Sequence, residues 1–377
     1  METRVSIEIG NQTIVAAFGY VSDSATVKLN EVAMAPTEGY ENGKIIDKPA
    51  LMQVLYDLVN RVTKQTSLRS TAIQFVMPAE VVQRVEHTVN LKSVKLLDKK
   101  SLREAAAQCK KDITLQEGYD IIDMIPSKVV VNGEERSTVN IESAANVELT
   151  WSVFVVPESV MTEWMVLFDI FKADSINFIP YERACGEAFA VFGGSKELSI
   201  VDLGAESERV LKFTGGLLKV SERLRLGADT IDQDITWAYK LPLEDARELK
   251  LSHGEALLYT CKMDYVPLPD GLNECKTKEL MVVIQSRLEE LYEGVIYILQ
   301  QNGCRGGNVV LIGGGNNLKN SDLLFKMLSG MTVIPTKYMA QAKSESDLMV
   351  KEFAVAVGAL GSETQEDEPV KSKWFPW

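Results

Sequence analysis

A strand–turn–strand pattern occurs twice in this chain, about half its length apart, and restricts the fold more than any other feature. The first copy, Val5-Ser-Ile-Glu8-Ile-Gly10-Asn11-Gln12, runs on into Thr13–Phe18. The second, Ser199-Ile-Val-Asp202-Leu-Gly204-Ala205-Glu206-Ser207, runs on into Val210–Phe213. Each copy has an apolar run, an acidic residue two places before a glycine, a small or polar turn, and a second apolar run. Such runs closed on a glycine read as β-hairpins. Glycine also lets backbone N–H groups approach phosphate oxygens that a side chain would hold off. The duplication predicts two related domains holding a phosphate chain between them. Gly313-Gly314-Gly315, directly after the apolar run Asn308–Ile312, reads as a third turn of this kind.

Bulk properties exclude several alternatives. At 377 residues the chain is long for one core and suits two or more domains. A net charge of −13 argues against nonspecific nucleic-acid binding, which depends on lysine and arginine displacing counterions. No apolar run approaches the roughly 20 residues that span a bilayer, and the N-terminus enters a strand pattern directly, so no signal peptide is expected. Cys109, Cys185, Cys261, Cys275 and Cys304 show no C-x-x-C spacing and read as reduced cytoplasmic thiols rather than zinc ligands. His87 and His253 leave little material for a histidine-based triad, and His253 before Gly254 reads as a helix-end residue.

Along the chain, strands are expected at 4–9, 13–20, Ala25–Ala35 and Ile73–Met77. A helix over Lys48–Lys64 carries Leu51, Leu55, Leu58 and Val62 at helical spacing. Residues 79–160 differ in texture: strands at Val81–Val89, Tyr119–Met124, Lys128–Val131 and Asn146–Val156, a charged helix over Lys99–Lys111, and a turn at Asn132-Gly133. A helix over Glu163–Lys172, a strand at Ile176–Pro180 and the small-residue run Ala184–Ala188 follow. The second half adds a strand at Leu217–Leu226, a turn at Gly227–Thr230, and helices over Asp232–Tyr239, Glu244–Ser252, Leu280–Gln301 and Asp347–Leu360. His253-Gly254 reads as a C-cap. The expected organisation is α/β: a first lobe at 1–78 and 161–193, an α+β insert at 79–160, a second lobe at 194–361, and a tail at 362–377.

The order of these pieces resembles the two-lobed actin-like ATPase fold, shared with Hsp70 chaperones and sugar kinases. Hairpin one, the segment near Ala184, hairpin two, the helix carrying Glu248 and Lys250, and the Gly313 turn are similar to its phosphate-1, connect-1, phosphate-2, purine-contacting and adenosine motifs. The position of the insert, with Glu38-Gly-Tyr-Glu-Asn-Gly43-Lys-Ile-Ile-Asp47, Val147–Val156 and Glu248–Gly254, resembles the FtsA family of bacterial division proteins over about residues 1–360. A pilus-assembly relative shares the insert.

The resemblance implies ATP held by Gly10, Asn11, Gln12, Asp202, Gly204, Ala205, Ser207, Gly227, Lys250, Gly313, Gly314, Gly315 and Asn316, with Glu8 and Asp202 facing Mg²⁺ indirectly. It implies filaments of the chain itself, the FtsZ C-terminal peptide and later division proteins (through the insert) as partners, and a place on the inner face of the cell membrane at the division site. Ser362–Pro369 is too polar and charged to fold. Lys371, Lys373, Trp374, Phe375 and Trp377 after it suit an anionic bilayer surface, although the segment is short and Pro376 cannot lie inside a helix. A tail that is frayed or docked on the protein's own surface is the alternative.

The departures concern chemistry. The family's second loop reads aspartate-x-glycine-glycine-glycine-threonine, whereas here Ala205, Glu206 and Ser207 follow Gly204. A carboxylate about 4 Å from a phosphate oxygen costs on the order of 4 kcal/mol at a surface-like dielectric. Glu206 therefore turns outward, is screened by Mg²⁺, or weakens binding. Near Pro180, Ile179, Tyr181 and Glu182 compete for the slot that positions the attacking water. The expectation is a nucleotide-binding adaptor with slow hydrolysis or none. The pilus-assembly adaptor and a phosphotransferase of the same fold are the alternatives.

Overall fold

The computed structural model describes residues 2–22, 26–64, 68–192, 197–261, 264–269, 271, 273–338, 340–342 and 348–362. It divides into two units: Met1–Glu197 with Phe213–Lys219 and Lys337–Trp377, and Leu198–Lys212 with Val220–Thr336.

The first unit begins with β1 (Glu2–Ile9), β2 (Thr13–Val21), β3 (Val27–Pro36) and the small pair β4 (Tyr40–Glu41) and β5 (Lys44–Ile45). Helix α1 (Lys48–Thr63) follows, started by Asp47, whose side chain accepts from the Ala50 N–H at 3.1 Å. It buries Leu51, Leu55, Leu58, Val59 and Val62 and stops at Lys64 in the left-handed region. Five apolar side chains at about 1.5–3 kcal/mol each explain why this stripe, rather than intrinsic propensity, fixes the helix. Strand β6 (Thr71–Val76) then runs parallel to β1, with Val5 beside Ile73 and Ile7 beside Phe75.

The insert comprises β7 (Gln83–Val94), α2 (Lys99–Asp112), β8 (Tyr119–Val131), β9 (Glu134–Arg136) and β10 (Ala144–Pro157), in the antiparallel order β7-β10-β8-β9. Asn132 and Gly133, both with positive φ, close the β8–β9 turn as expected. The two strands expected at Tyr119–Met124 and Lys128–Val131 are one. Pro126 lacks a ladder N–H, and the sheet accommodates it at a register shift between Thr150 and Trp151 instead of ending the strand. Cys109, Ala105 and Ala106 of α2 pack with Val89, Leu149 and Val153.

The chain returns through α3 (Glu158–Phe168), β11 (Ser175–Ile179) and α4 (Tyr181–Ala188). Helix α3 starts five residues before its expected position, since Glu158 follows Pro157 directly at the end of β10. The Trp164 ring lies 4.6 Å from that of Phe75, tilted by 44°, and Phe75 lies 4.9 Å from Phe168.

The second unit holds most of β12 (Glu197–Leu203), β13 (Glu208–Thr214) and β14 (Leu217–Leu224), of which Glu197 and the β13–β14 turn at Phe213–Lys219 belong to the first unit, then α5 (Asp229–Tyr239) and α6 (Leu243–His253). It continues with β15 (Tyr265–Pro267), β16 (Glu274–Lys276), the 25-residue helix α7 (Thr277–Gln301), β17 (Asn308–Ile312), α8 (Ser321–Ser329) and β18 (Thr332–Val333). Its sheet order, β14-β13-β12-β17-β18, repeats the β3-β2-β1-β6 order of the first sheet, with β17 parallel to β12 as β6 is to β1. The duplicated hairpin thus reports duplicated topology.

Strand β19 (Gln341–Ala342) extends the first sheet beside β3, giving β11-β6-β1-β2-β3-β19, and α9 (Ala354–Gly361) ends the described chain. Two expectations are corrected here. The last helix begins at Ala354, because Val350 is extended (φ −77°, ψ 118°) and a 3-10 turn intervenes. Residues 337–361 join the first unit rather than the second. The Ser6 hydroxyl donates to Ala356 O at 2.5 Å, Arg4 Nη1 donates to Leu360 O and Ser362 O at 2.9 Å, and a Cβ on Gly358 would collide with Ala184 O of α4. Among the described residues no helix is long and apolar enough to cross a membrane.

The aromatic cluster is the mechanical centre of the first unit. Trp164→Ala is expected to lower unfolding free energy in urea titrations by roughly 3–5 kcal/mol.

Candidate functional site

Both hairpins close on the same four-residue turn. Gly10 N–H donates to Thr13 O at 2.9 Å and Gly204 N–H donates to Ser207 O at 3.0 Å. A Cβ on either glycine would lie 3.1 or 3.0 Å from that same oxygen. The first turn is braced by the end of β3, where the Thr37 hydroxyl donates to Gly10 O at 2.7 Å and Thr37 N–H donates to Gln12 O at 2.9 Å. The Asn11 amide engages Asn42 in both directions, at 3.0 and 3.3 Å. Glu8 is half-buried in β1, opposite Val15 and Val76.

In the second unit the expected motifs converge on one turn. Asp202 pairs with Ile312 in the β12–β17 register, which sets Gly313 directly against it. Gly313 has φ +83°, and a Cβ there would collide with Asp202 Oδ1 and lie 2.7 Å from Leu203 O. A Cβ on Gly315 would collide with the Leu203 side chain and lie 2.8 Å from Ala228 Cβ. One on Gly227 would collide with Ala205 O and lie 2.6 Å from Ser207 N. Ala228 N–H donates to Gly204 O and Asp229 N–H to Ala205 O, each at 2.9 Å. The structure therefore brings together Asp202, Gly204, Ala205, Ser207, Gly227, Gly313 and Gly315, with Gly314 opening the 3-10 turn Gly314–Asn317.

Two of the expected residues are committed to this packing. Asn316 is fully buried; its Nδ2 donates to Ile312 O at 2.6 Å, and its Oδ1 accepts from the Tyr292 hydroxyl of α7 at 2.7 Å. The Ser321 hydroxyl of α8 donates to Asn316 O at 2.5 Å. Lys250 is buried, with its ammonium 2.7 Å from Asp232 Oδ1 in α5, and Arg247 lies 3.4 Å from Asp232 Oδ2. Asp232 has no exposed surface, so the two cations of α6 are what allow its charge there, and they lock α6 onto the helix that starts beside Gly227. Sequence reasoning missed this role for Asp232. The spacing of Asp229 and Asp232 on α5 opposite Arg247 and Lys250 on α6 was the available signal.

Glu206 is exposed on the turn. The carboxylate that the fold takes inside is Glu208, the first residue of β13, only 1% exposed, with Oε1 buried and lacking a hydrogen-bond partner. It shares the inward parity of Val210, which a strand reading of this segment reveals. Burial, with the negative charge of Asp202 adding to it, pushes its carboxyl up to about 9. Tyr292 is also raised, by burial first and then by Asp322, with Glu208 contributing. The five cysteines form no disulfide, and the described residues contain no metal-binding group of three or more His, Cys, Asp or Glu. Lys371, Lys373, Trp374, Phe375 and Trp377 lie outside the described residues.

Glu208 makes stability depend on pH. The folded chain keeps this proton up to about pH 9, while an unfolded glutamate loses it near 4.5. Across that interval the native state binds the extra proton, so the stability is fully present below about 4.5 and is lost as pH rises toward about 9. The slope is at most about 1.4 kcal/mol per pH unit. Glu208→Gln is expected to flatten the decline between pH 5 and pH 9 in denaturant titrations of nucleotide-free, chelator-treated protein; parallel curves for variant and wild type would contradict this reading.

No family model matches the chain. It is similar to the cell division protein FtsA of Neisseria meningitidis serogroup B, at 20% identity over 329 residues, covering 82% of this chain and 77% of that protein. FtsA of Escherichia coli K12 is 18% identical over 336 residues, covering 84% and 79%. Among solved structures, the PilM–PilN type IV pilus biogenesis complex has a TM-score of 0.64 at 17% identity, covering 96% of this chain and 98% of the matched one. MreB5 of Spiroplasma citri bound to ADP has a TM-score of 0.51 at 12% identity, covering 95% of each. Duplicated sheet topology, the glycine-packed turns and these similarities agree: the chain has the actin-like ATPase fold, and its sequence is distantly similar to FtsA proteins over about four-fifths of its length.

Proposed function

We propose that this protein is an actin-like division protein that binds Mg·ATP as a structural ligand, assembles into filaments and tethers FtsZ to the cytoplasmic membrane while recruiting later division proteins. The observation that carries the nucleotide reading is the convergence of Asp202, the β12–β13 turn, Gly227 and Gly313–Gly315 in one unit. The donor set suits the group: backbone N–H groups of a tight turn and the Ser207 hydroxyl for phosphate, and a hard carboxylate oxygen of Asp202 for the hydration shell of Mg²⁺. When bound, Mg²⁺ would neutralise part of the phosphate charge. Gly10 and its turn are the first unit's counterpart.

The protein's own residues favour holding nucleotide over cleaving it. Ile179 and Tyr181 are buried, and Glu182, at the start of α4, is half-buried. Ile179 has no ionisable group and Tyr181 is buried, which leaves Glu182 as the one carboxylate of the three able to position a water, in keeping with slow turnover at most. The FtsA similarity supports the FtsZ, filament and membrane roles, and the aromatic, lysine-bearing tail supports membrane attachment.

A second reading has its own observation. An open hollow of about 370 Å³ is lined by Lys48 of α1 and by Ser159, Val160, Thr162, Glu163 and Val166 of α3. The hollow is shallow, with Lys48, Ser159, Thr162, Glu163 and Val166 all exposed around it, and the PilM–PilN similarity is what makes a pilus-assembly adaptor the alternative.

Purified protein is expected to turn over Mg·ATP more slowly than about one per minute, and rapid phosphate release would contradict a structural role for nucleotide. Immobilised protein is expected to retain an FtsZ C-terminal peptide. Retention of an inner-membrane pilus peptide instead would favour the second reading. Liposome cosedimentation is expected to be lost when residues 370–377 are removed, and equal sedimentation would rule out the anchor.

A further inference from the structure

Strand β7 forms one margin of the insert's sheet, whose order is β7-β10-β8-β9. It pairs with β10 along its length, and among the described residues no strand pairs with its other side. At 12 residues it is the longest edge strand of the described chain, whereas β9, at the opposite margin, has three. A free edge carries a row of N–H and C=O groups that another strand can take up, and folded proteins commonly blunt it with proline, a bulge or short length. Gln83–Lys92 contains no proline and no residue of positive φ; Ser93, at φ +55°, is the first to turn the backbone.

The two faces of β7 differ, as strand alternation requires. His87, Val89 and Leu91 share the face that α2 covers: Val89 is buried and packs with Ala105, Ala106 and Cys109, while His87 and Leu91 are half-buried. Glu86, Thr88, Asn90 and Lys92 share the other face and are all exposed. There the Thr88 hydroxyl lies 2.9 Å from that of Thr150 on β10. Among the described residues neither Glu86 nor Lys92 has an ion-pair partner.

The order of these residues is self-complementary. When a second β7 runs antiparallel to the first with Val89 opposite Val89, Glu86 falls opposite Lys92, Thr88 opposite Asn90 and His87 opposite Leu91. The two-fold axis repeats each pair, so both charges meet an opposite charge. A slip of one residue would set outer-face side chains against core-face ones. A slip of two sets Arg84 against Lys92 in one direction, and in the other draws the turned backbone of Ser93 into the ladder.

We propose that the outer edge of β7 pairs with β7 of a second copy, joining two four-stranded insert sheets into one of eight strands about a two-fold axis at Val89. Such a contact is isologous and closes at two chains, unlike the head-to-tail contact that builds a filament. It therefore rests on neither the nucleotide nor the filament reading above. A ladder over Glu86–Lys92 is a small interface, which suits a reversible dimer in the micromolar range.

Sedimentation equilibrium of the full-length chain, nucleotide-free and in chelator, tests the pairing across loading concentrations of about 1 to 100 µM. Wild type is expected to show a monomer–dimer equilibrium that moves toward monomer as salt is raised. Glu86→Lys or Lys92→Glu alone sets like charges opposite each other twice and is expected to weaken the dimer at least about tenfold. The double variant Glu86→Lys/Lys92→Glu restores opposite pairs and is expected to recover most of the lost affinity. Within one chain these side chains stand about 20 Å apart along the strand, so they compensate each other only across the interface. Both positions are exposed, and circular dichroism checks that the variants fold. A strictly monomeric wild type would overturn the proposal, as would single variants that dimerise like wild type or a double variant no better than the singles. Chains carrying Thr88→Cys and Asn90→Cys, mildly oxidised, report the register: a disulfide between chains is expected in their mixture and not in either alone. Equal crosslinking in all three samples would overturn the pairing centred on Val89.

Discussion

Three glycines pressed against one turn hold the second unit's site together. Gly227 lies against Ala205 and Ser207, Gly313 against Asp202, and Gly315 against Leu203, each with no room for a Cβ. Glycine is costly to order, and three of them on one turn need rigid supports. The surrounding polar groups supply that rigidity. Asn316, Tyr292 and Ser321 tie the Gly313 turn to α7 and α8, while Asp232, Lys250 and Arg247 tie α5 to α6. Buried ion pairs of this sort add little net stability but are expensive to break from one side, which suits a device that fixes a helix N-terminus in place.

Much of this architecture was legible in the sequence where a short-range pattern specifies it. The repeated hairpin foretold the repeated sheet order, the leucine spacing foretold α1, and Asn132-Gly133 foretold its turn. Misplaced elements were those settled by long-range packing. The start of α9 depends on Val350 being extended, and its place in the first unit depends on Gly358 meeting Ala184. The unity of β8 depends on a register shift absorbing Pro126. Helix α8 was overlooked although Leu324, Phe325 and Leu328 stand at helical spacing before Gly330, while the β15–β16 strands, three residues each, are too short to show a periodicity.

At the site, the motifs were legible but the roles of individual side chains were less so. Attention fell on Glu206, the residue that breaks the glycine run, and that residue is exposed. Glu208, two positions on, is the buried one, because strand parity turns it inward beside Asp202. Lys250 was noted for its place on a helix, yet its nearest charge is Asp232, a pairing that only the α5–α6 packing reveals. A divergent second loop is thus compatible with a preserved turn: the substitutions alter which groups face inward, while the hydrogen bond from Gly204 to Ser207 is the same as that from Gly10 to Thr13.

The central claim is that this glycine-packed turn is a nucleotide site. Calorimetric titration of Mg·ATP into wild type and Gly313→Ala, with folding of both checked by circular dichroism, tests it most directly. A methyl group at φ +83° against Asp202 strains the turn by about 1–2 kcal/mol or more. The account predicts saturable binding by wild type and at least about tenfold weaker binding by the folded variant. No binding by wild type at millimolar nucleotide, or equal affinity of the two proteins, would contradict it.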